Sequence, residues 1–440
     1  MTDITPSGPW GPRAAASLRE AEAAVARMSV PRVVPGMGAT PARFTGLAGE
    51  LTGILLRGFV LQLVTLGIYR FWLTTEIRRF YWGHTSAGPE TVAYTGTGME
   101  LFKGFLFALA IIVPIKLMAI LIATYLPAAD VITSVGVFVA FLFLGQYAAY
   151  AGRRYRLART SWRGLRLRMT GSALAYALKA FGWSALVIMT LGLAYPWAAA
   201  ALERIKMRET WFGDAQGSFS GDPLVLFRRG FALWLLGFGV PLAILISAAL
   251  AMPVGTIGRL TAALFGNSTL LRLEDAGILW AGAGAIMLGL VLVLLAYPAF
   301  VAILARWRFE GMGLGGSRLS SSFTIGRAYR IYLLGYLGIF ILGMIGSAIW
   351  SGVLIGAAAG FAAVGGPVLS GILAVLGYLG IIAGFWILKN ILIDLRLWRA
   401  QAESLAVLNL AALDHVVANN VDASAMGDSL GDAVAIGSAF

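Results

Sequence analysis

The chain has 440 residues, of which 59% are hydrophobic and only 12% charged, and its net charge is +13. Because soluble domains usually have about 25% charged residues, this composition excludes an ordinary soluble protein and indicates a chain largely covered by lipid. Cysteine is absent and histidine occurs only twice, which excludes disulfides and leaves too few ligands for a Cys- or His-based metal site. We therefore expect no metal and no cofactor.

The basic excess is compatible with two kinds of partner, nucleic acid or anionic lipid. Long apolar stretches favour the membrane, where Lys and Arg collect in cytoplasmic loops beside anionic headgroups. We therefore expect membrane lipids as partners, and no nucleic acid.

Eight apolar segments follow residues 1–43, which have no signal-peptide core and predict a flexible cytoplasmic leader. Each segment is about long enough to cross ~30 Å of hydrocarbon as a helix. They are residues 51–72, 104–126, 131–150, 173–197, 230–252, 276–303, 331–359 and 369–393.

The basic loops decide which segments cross. Segment 173–197 lies between two strongly basic loops, and segment 51–72 lies between the basic leader and another basic stretch. A single crossing would place one basic loop outside, against the positive-inside rule. We therefore predict six transmembrane helices and two re-entrant or interfacial helices, with both termini in the cytoplasm of a bacterial inner membrane. The most basic loop contains Arg153, Arg154, Arg156, Arg159, Arg163, Arg166 and Arg168.

An internal repeat with an offset of about 125 residues supports this topology. A Thr-Leu-Gly motif followed by Trp occurs in both doubtful segments, and its glycine is expected to interrupt a helix. The alternative is that both motifs are ordinary helix ends with Trp at the headgroup level. The motif residues are Thr65, Gly67 and Trp72 in the first copy, and Thr190, Gly192 and Trp197 in the second.

Short Thr-, Ser- and Gly-rich stretches between the apolar segments predict cytoplasmic β elements. The fold class is therefore an all-α polytopic membrane protein with short β elements. The predicted organisation is a leader (1–43), membrane repeat 1 (44–168), membrane repeat 2 (169–308), a degenerate third unit with two transmembrane helices (309–400) and an acidic tail (401–440).

Several motifs resemble the YjgN-type family of bacterial inner-membrane proteins. They are Thr65-Leu-Gly-Ile-Tyr-Arg-Phe-Trp72, Trp82-Gly-His84, the stretch from Tyr94 to Gly104, and the tail from Met426 to Ala433. Asp428 is a departure, because the family pattern has Glu there. The resemblance implies an inner-membrane protein and supplies neither a substrate nor a catalytic residue.

Three cations in apolar segments are candidate contacts for a solute or a lipid headgroup. Lys116 lies mid-segment, two residues after Pro114, where a charge usually faces a cavity or a partner. Arg57 and Lys179 lie at nearby repeat positions near the starts of the doubtful helices. The alternative for all three is that they extend to the membrane surface.

Two charged clusters have structural alternatives. A mixed cluster in the first cytoplasmic loop contains acid, guanidinium and imidazole groups, but structural ion pairing explains it better than acid-base catalysis. Its members are Glu50, Arg70, Glu76, Arg78, Arg79, His84 and Glu100. The arginine run 153–168 either binds anionic lipid or the acidic tail (Asp414, Asp422, Asp428, Asp432), or anchors the topology. We expect no enzyme activity.

Two glycine patterns in the sequence resemble functional motifs, and only the first is interpreted as one. Gly352, Gly356 and Gly360 form a small-residue stripe suited to helix packing, within the chain or in a homo-oligomer. The dinucleotide-like spacing from Gly311 to Gly316 has no preceding strand, so we do not interpret it as a nucleotide site.

The function that these features favour is a transporter or channel for a small or anionic solute, because transporters often bind solutes where helices are broken at membrane depth. The alternative is a membrane scaffold or regulator that binds partners or anionic lipid through its basic loops. An intramembrane enzyme acting on lipid has the least support.

Overall fold

In the computed structural model the described residues are 38–126, 130–250, 255–256, 258–259, 273–361 and 366–418. Helical hairpins alternate with short strands along this part of the chain. Residues from Thr40 onward form one compact unit. The predicted leader before residue 38 and the acidic tail after residue 418, with Asp422, Asp428 and Asp432, lie outside the described residues.

The described residues contain five modules of one topology. Each has a strand, a helical hairpin and a second strand that pairs antiparallel with the first. Module 1 contains β1 (Ala39–Phe44), α1 (Ala48–Val64), α2 (Arg70–Gly83) and β2 (Thr85–Ala87), followed by β3 (Glu90–Thr91). Module 2 contains β4 (Ala93–Tyr94), α3 (Gly98–Tyr125), α4 (Asp130–Ala158) and β5 (Thr160–Trp162). Module 3 contains β6 (Leu165–Met169), α5 (Ala173–Met189), α6 (Tyr195–Arg208) and β7 (Thr210–Phe212).

The last two modules have longer hairpins, each with a π-helical stretch in one span. Module 4 contains β8 (Ala215–Phe219), α7 (Pro223–Trp234), a π-helical turn (Leu235–Gly239), α8 (Val240–Leu250), α9 (Leu273–Gly311) and β9 (Met312–Leu314). Module 5 contains β10 (Ser317–Ser321), α10 (Ile325–Phe361), α11 (Gly366–Lys389), a π-helical turn (Asn390–Asp394), α12 (Leu395–Glu403) and β11 (Leu405–Leu408).

The strands join into one sheet that closes on itself. Among the described residues its order is β3-β2-β1-β11-β10-β9-β8-β7-β6-β5-β4. The two outer strands, Glu90–Thr91 and Ala93–Tyr94, are separated in the chain only by Val92. Both ends of the strand order therefore lie in one short stretch of chain, and the strands form a ring that is closed through Val92.

Each module is closed by the same backbone hydrogen bond at the base of its helical hairpin. The N–H of a Thr or Ser just after the first strand donates to the carbonyl of the residue just before the second strand, over 2.8–3.0 Å. The pairs are Thr45–His84, Thr95–Arg159, Thr170–Glu209, Ser220–Gly311 and Ser322–Ser404. This explains the Thr/Ser-Gly pattern that precedes the helical hairpins.

Neighbouring modules are joined by an arginine that lies six residues before the second strand of its module. Its guanidinium donates to a glycine carbonyl at the start of the next hairpin, in the pairs Arg79–Gly96, Arg154–Gly171, Arg204–Gly221 and Arg399–Gly46. The last pair connects module 5 to module 1. At the remaining interface, Arg306 instead donates to Glu310 over 2.7 Å.

Five hydrophobic clusters of described residues lie at these interfaces, one between each pair of neighbours. The largest contains Phe44, Leu51 and Tyr81 from module 1 with Ile387 and Leu395 from module 5. Burial of apolar side chains between the first and last modules thus closes the ring at the level of the helices as well.

Six helical stretches of the described chain are long and apolar enough to cross a membrane. They correspond to the six segments predicted to be transmembrane helices, and the presence of six long apolar helices is confirmed. They are Gly98–Tyr125, Val131–Ala158, Pro223–Leu250, Leu279–Gly311, Ile325–Ala357 and Gly371–Glu403. Large apolar side chains remain exposed along them, such as Phe107 and Phe340, as expected for lipid-facing surfaces.

The hairpins of modules 1 and 3 are much shorter. Helices α1 and α5 each have 17 residues, and α2 and α6 each have 14. At 1.5 Å per residue they extend about 25 and about 21 Å, which is less than a hydrocarbon core of ~30 Å. The apolar segments 51–72 and 173–197 therefore do not form single continuous helices.

The Thr-Leu-Gly motif forms the turn of both short hairpins. The amide of Gly67 donates to Gln62 and that of Gly192 to Val187, both over 2.7 Å, which is the bond that closes a helix in the Schellman motif. The glycines have φ of +88° and +92°, a left-handed conformation that explains the residue type. The hydroxyls of Thr65 and Thr190 each donate to a carbonyl of the preceding helix and accept from the amide of the residue just before the next helix.

Three expectations from the sequence, the fold class and two glycine patterns, can be compared with the fold. The all-α class is incomplete, because the predicted β elements join into an eleven-stranded sheet. The spacing from Gly311 to Gly316 is part of a β-hairpin, with Gly315 and Gly316 at φ of +53° and +88° in its turn. Of the glycine stripe, Gly352 and Gly356 adjoin open space, because a Cβ added at either would meet no other helix of the described chain within 4 Å. A homo-oligomer contact there stays a prediction.

Candidate functional site

The three cations predicted as solute or headgroup contacts do not come together. Lys116 is exposed on α3, with its ammonium 5.3 Å from the ring centre of Phe141. Arg57 pairs with Glu76 over 2.7 Å and is 61% exposed. Lys179 is exposed on α5. None of the three lines either of the two polar cavities described below, which lie along the second helices of the short hairpins.

The predicted mixed-charge cluster is resolved into separate ion pairs. Glu76 pairs with Arg57, Glu50 with His84 over 3.3 Å, and Glu100 with Arg159 over 2.7 Å. Glu76 and Glu100 are thus each paired with an arginine, and Glu50 lies beside the imidazole of His84. This arrangement supports a structural role for the cluster.

The arginines of the run 153–168 make several different contacts within the chain. Arg154 joins modules 2 and 3, Arg159 pairs with Glu100, and Arg163 pairs with Asp414 over 2.7 Å. Arg168 lies over the Trp211 ring and Arg156 is half-buried, whereas Arg166 is exposed. The run is therefore largely part of the fold and does not form one free basic surface.

A buried charged cluster lies where modules 2, 3 and 4 meet, next to the strand ring. Glu203 is only 3% exposed. Its Oε1 lies 2.7 Å from the Lys206 ammonium and 3.3 Å from Nε of Arg308. Arg153 interacts electrostatically with the same carboxylate. Three cations around one carboxylate give the cluster a net charge of +2.

The pKa values of Glu203 and Lys206 in this cluster are shifted by burial and by the neighbouring charges. Burial by itself raises the pKa of the Glu203 carboxyl, but Lys206, Arg308 and Arg153 together outweigh burial, so the pKa lies below its ordinary value. Burial also lowers the pKa of the Lys206 ammonium, although Glu203 opposes this. Glu203 is therefore ionised at neutral pH, and the surrounding cations keep it so.

A cavity of about 340 Å³ opens onto this cluster. It is bounded by α4, α5, α6 and α9, and Glu203, Lys206 and Arg308 line it together with Gln146 and Ser184. The cavity thus combines charged, amide and hydroxyl groups, which suits a polar ligand.

A second cavity, of about 740 Å³, lies beside the turn of the other short hairpin. It contains the cations Arg70, Arg78 and Lys389, with Asp394 2.7 Å from Lys389. Its α2 residues Arg70, Leu73, Thr74, Ile77 and Arg78 correspond, at the offset of 125, to residues 195, 198, 199, 202 and 203 of the first cavity. Both short hairpins therefore face a cavity with the same side of their second helix.

Sequence reasoning missed Glu203, Lys206 and Arg308. A signal for Glu203 is present in the spacing, because Arg78, Arg153 and Glu203 each lie seven residues before the Thr that begins a strand. An acid at a position that is arginine in two other modules indicates that this position has a different role in module 3. Lys206 lies three residues after Glu203 on the same helix, whereas Arg153 and Arg308 come from other modules, and no local pattern identifies those two.

The segment after β11, residues 409–417, lies across the turns of the strand ring, and we call it the C-terminal cap. Asp414 pairs with Arg163, and the Val417 amide donates to Asp214 over 3.1 Å. The glycines of three turns adjoin the cap so closely that a Cβ would touch it: Gly88 faces Leu410, Gly213 faces Val416 and Val417, and Gly315 faces Leu413. The cap thus contacts four of the hairpin turns formed by the described residues.

Six apolar helices standing on a closed strand ring define a polytopic helical membrane protein. Residues 39–433 match the family described as "Bacterial protein of unknown function (DUF898)". Since the match covers most of the chain, the chain belongs to this family, and the predicted YjgN-type resemblance is confirmed. No curated protein and no solved structure matches the chain.

Proposed function

We propose that this protein is a channel or transporter for a small anionic solute. The observation that carries the proposal is the cluster of Arg153, Lys206 and Arg308 around the buried Glu203, which opens into a polar cavity. Taking charges out of water is costly, so a charged cluster inside the protein indicates a function. A net charge of +2 attracts an anion. Rings or clusters of Arg and Lys are the usual selectivity elements of anion pathways.

The proposed pathway passes the charged cluster and continues through the strand ring. The cavities lie along the second helices of the short hairpins. The C-terminal cap contacts the turns at the end of the ring. In this scheme the cap acts as a gate at that end of the pathway.

We also propose that modules 1 and 2 and modules 3 and 4 are the two copies of an internal repeat, and that the short hairpins of modules 1 and 3 are re-entrant. Equal helix lengths and the same φ pattern at Gly67 and Gly192 support the repeat. The re-entrant assignment is supported by the lengths of these helices, which are below the thickness of the bilayer.

The strand ring is assigned to the cytoplasmic side of the inner membrane. Every hairpin leaves the ring and returns to it, so the described ends of the chain lie on the ring side. The arginine run 153–168 belongs to this side, whereas the far ends of α3 and α4, at Tyr125 and Asp130, have no base. Positive charges are retained in the cytoplasm during insertion.

Cysteine labelling tests this topology, because the native chain has no cysteine. Single cysteines replace Arg166 and Asp214 on the ring side and Tyr125 and Leu250 on the far side, all of them exposed. A membrane-impermeant maleimide added to intact spheroplasts should label only the far-side pair. A cysteine at Leu66, the exposed tip of the first short hairpin, should stay unlabelled; its labelling there would show that this hairpin crosses.

Anion flux into proteoliposomes tests the function. The purified protein should conduct at least one of chloride, nitrate, phosphate, sulfate or a small carboxylate, and Arg308→Gln should reduce that flux about tenfold or more, as expected when a buried charge contact is lost. Arg166→Gln is the matched control, because Arg166 is exposed and outside the cluster. Absence of flux for every anion, including in a variant that lacks the cap, would overturn the proposal.

The scaffold alternative has less support. Most arginines of the basic loop contact the chain itself, which leaves few of them to bind a partner. Arg57 and Lys179 remain exposed and are suited to lipid headgroups under either function.

A further inference from the structure

Three buried polar atoms of the charged cluster have no hydrogen-bond partner within the described part of the chain. They are Nε of Arg153, Nε of Arg308 and Oε2 of Glu203. Arg308 lies 3.3 Å from the other oxygen of Glu203, as an ion pair without hydrogen-bond geometry. Because buried polar groups are almost always hydrogen-bonded, these atoms indicate a ligand with complementary groups.

The unused groups specify what that ligand carries. Two N–H donors require acceptor oxygens, and an ionised carboxylate oxygen requires a donor. A fully deprotonated oxyanion such as sulfate offers acceptors only, and its oxygens would repel Glu203. Hydrogen phosphate offers both, because it retains one P–O–H group at neutral pH. Its charge of −2 also balances the cluster of three cations and one carboxylate.

The site has room for such a group. The cavity of about 340 Å³ is lined by Glu203, Lys206 and Arg308, and it adds the hydroxyl of Ser184 and the amide of Gln146. Gln146 and Ser184 hydrogen-bond to each other over 3.3 Å, which orients both groups along one wall. A phosphate group therefore finds charged contacts at one end and neutral ones beside them.

We propose that Arg153, Lys206, Arg308 and Glu203 form a binding site for a protonated phosphate group. The cations hold its unprotonated oxygens, and Oε2 of Glu203 accepts the P–O–H hydrogen. The lowered pKa of Glu203 fits this role, since it keeps the carboxylate an acceptor. The inference rests on the proposed function and deepens it by naming the class of anion.

The same chemistry occurs in free phosphate and in a lipid phosphomonoester. Phosphatidic acid retains a P–O–H group or gains one readily, whereas the phosphodiester of phosphatidylglycerol has none. The two sources are distinguished by measuring phosphate binding in nanodiscs of either composition. Competition by phosphatidic acid assigns the site to a lipid headgroup, and its absence assigns it to the free ion.

The central experiment is a titration of the full-length protein in detergent with inorganic phosphate and with sulfate, at pH 7 and constant ionic strength, by calorimetry. Phosphate should bind at least about tenfold more tightly than sulfate, because a site built to accept a hydrogen bond rejects an analogue without the donor. Glu203→Gln should remove this preference, since its amide can donate to either anion. Equal affinities in the unaltered protein, or a preference that survives in Glu203→Gln, would overturn the proposal.

Two further variants keep the result interpretable. Arg308→Gln should weaken the binding of phosphate and of sulfate by a similar factor and leave the ratio of the two affinities unchanged. This variant tests the site if Glu203→Gln does not fold. Arg166→Gln should change neither affinity. Binding requires no transport, so selective binding without flux would refute the proposed function alone. Flux of other anions without phosphate preference would refute only the phosphate site.

Discussion

Arg163, in the turn between β5 and β6, forms a 2.7 Å ion pair with Asp414, 251 residues later in the chain. This contact fixes the C-terminal cap to the strand ring. Because the cap also adjoins the glycines of three turns, its position depends on many weak contacts that can be released together.

Asp414→Asn should loosen the cap without unfolding the protein. The two side chains are 25% and 50% exposed, so the pair contributes less than about 1 kcal/mol to stability. A nitroxide spin label on a cysteine at Val417 should become more mobile, while the unfolding temperature hardly changes. Exchanging the charges, with Arg163→Asp and Asp414→Arg together, should restore the immobile spectrum; an unaltered spectrum in Asp414→Asn would contradict the role of the pair.

Gly213→Ala should displace the cap by a different route. Gly213 has φ of +57°, and a Cβ there would collide with the Val417 backbone and the Val416 side chain. Gly164→Ala is the matched control, because Gly164 has φ of +75° and open space around its Cβ position. Both variants should lose about 1 kcal/mol from backbone strain, but only Gly213→Ala should mobilise the label at position 417. Equal spectra would argue against the contact.

Alanine at the two Thr-Leu-Gly turns should destabilise both short hairpins alike. Gly67 and Gly192 have φ of +88° and +92°, where a side chain costs about 1–2 kcal/mol. Gly53→Ala and Gly182→Ala are the controls, in the helices just before these turns and with open space around them. They should instead stabilise by about 0.5–1 kcal/mol. Thermal unfolding in detergent measures all four changes, and one common sign would refute the turn geometry.

Glu203→Gln should lower stability at neutral pH by roughly 1–3 kcal/mol, because the buried Glu203 loses its charge while the half-buried Arg153 and Lys206 and the 40% exposed Arg308 keep theirs. The pKa of Glu203 in the folded protein lies below its ordinary value of 4.5. Its stabilising effect is therefore complete above about pH 4.5 and is lost as the pH falls through the folded pKa. The difference in unfolding temperature between the two proteins should shrink over that range. Glu90→Gln, at an exposed position, should show no such difference at any pH.

The six long apolar helices were predictable because their signal is local. A run of apolar residues long enough to span the bilayer is visible without knowledge of its neighbours, and the basic loops distinguished these runs from the two shorter hairpins. The Thr-Leu-Gly turns were also visible, since Gly67 and Gly192 mark a left-handed backbone conformation. The boundaries differed most where a helix continues into polar sequence, as α4 does through Arg153 and Arg156.

The strand ring was predictable only as scattered β elements. Its strands contain two to six residues, and the two strands of each module lie far apart in the chain, as the flanking residues Ser322 and Ser404 show. A strand of two residues has no alternating pattern that could reveal its buried face. Pairing and closure are therefore decided by backbone hydrogen bonds between remote segments.

The sequence by itself determined that this is a membrane protein with six long apolar helices and two broken ones, because hydropathy, charge placement and glycine conformation act over short distances. Only the tertiary structure decided that five hairpins stand on one ring and that Arg153, Glu203, Lys206 and Arg308 share a buried site. These four residues belong to three modules, and the energy of a buried charge depends on the neighbours that packing brings to it.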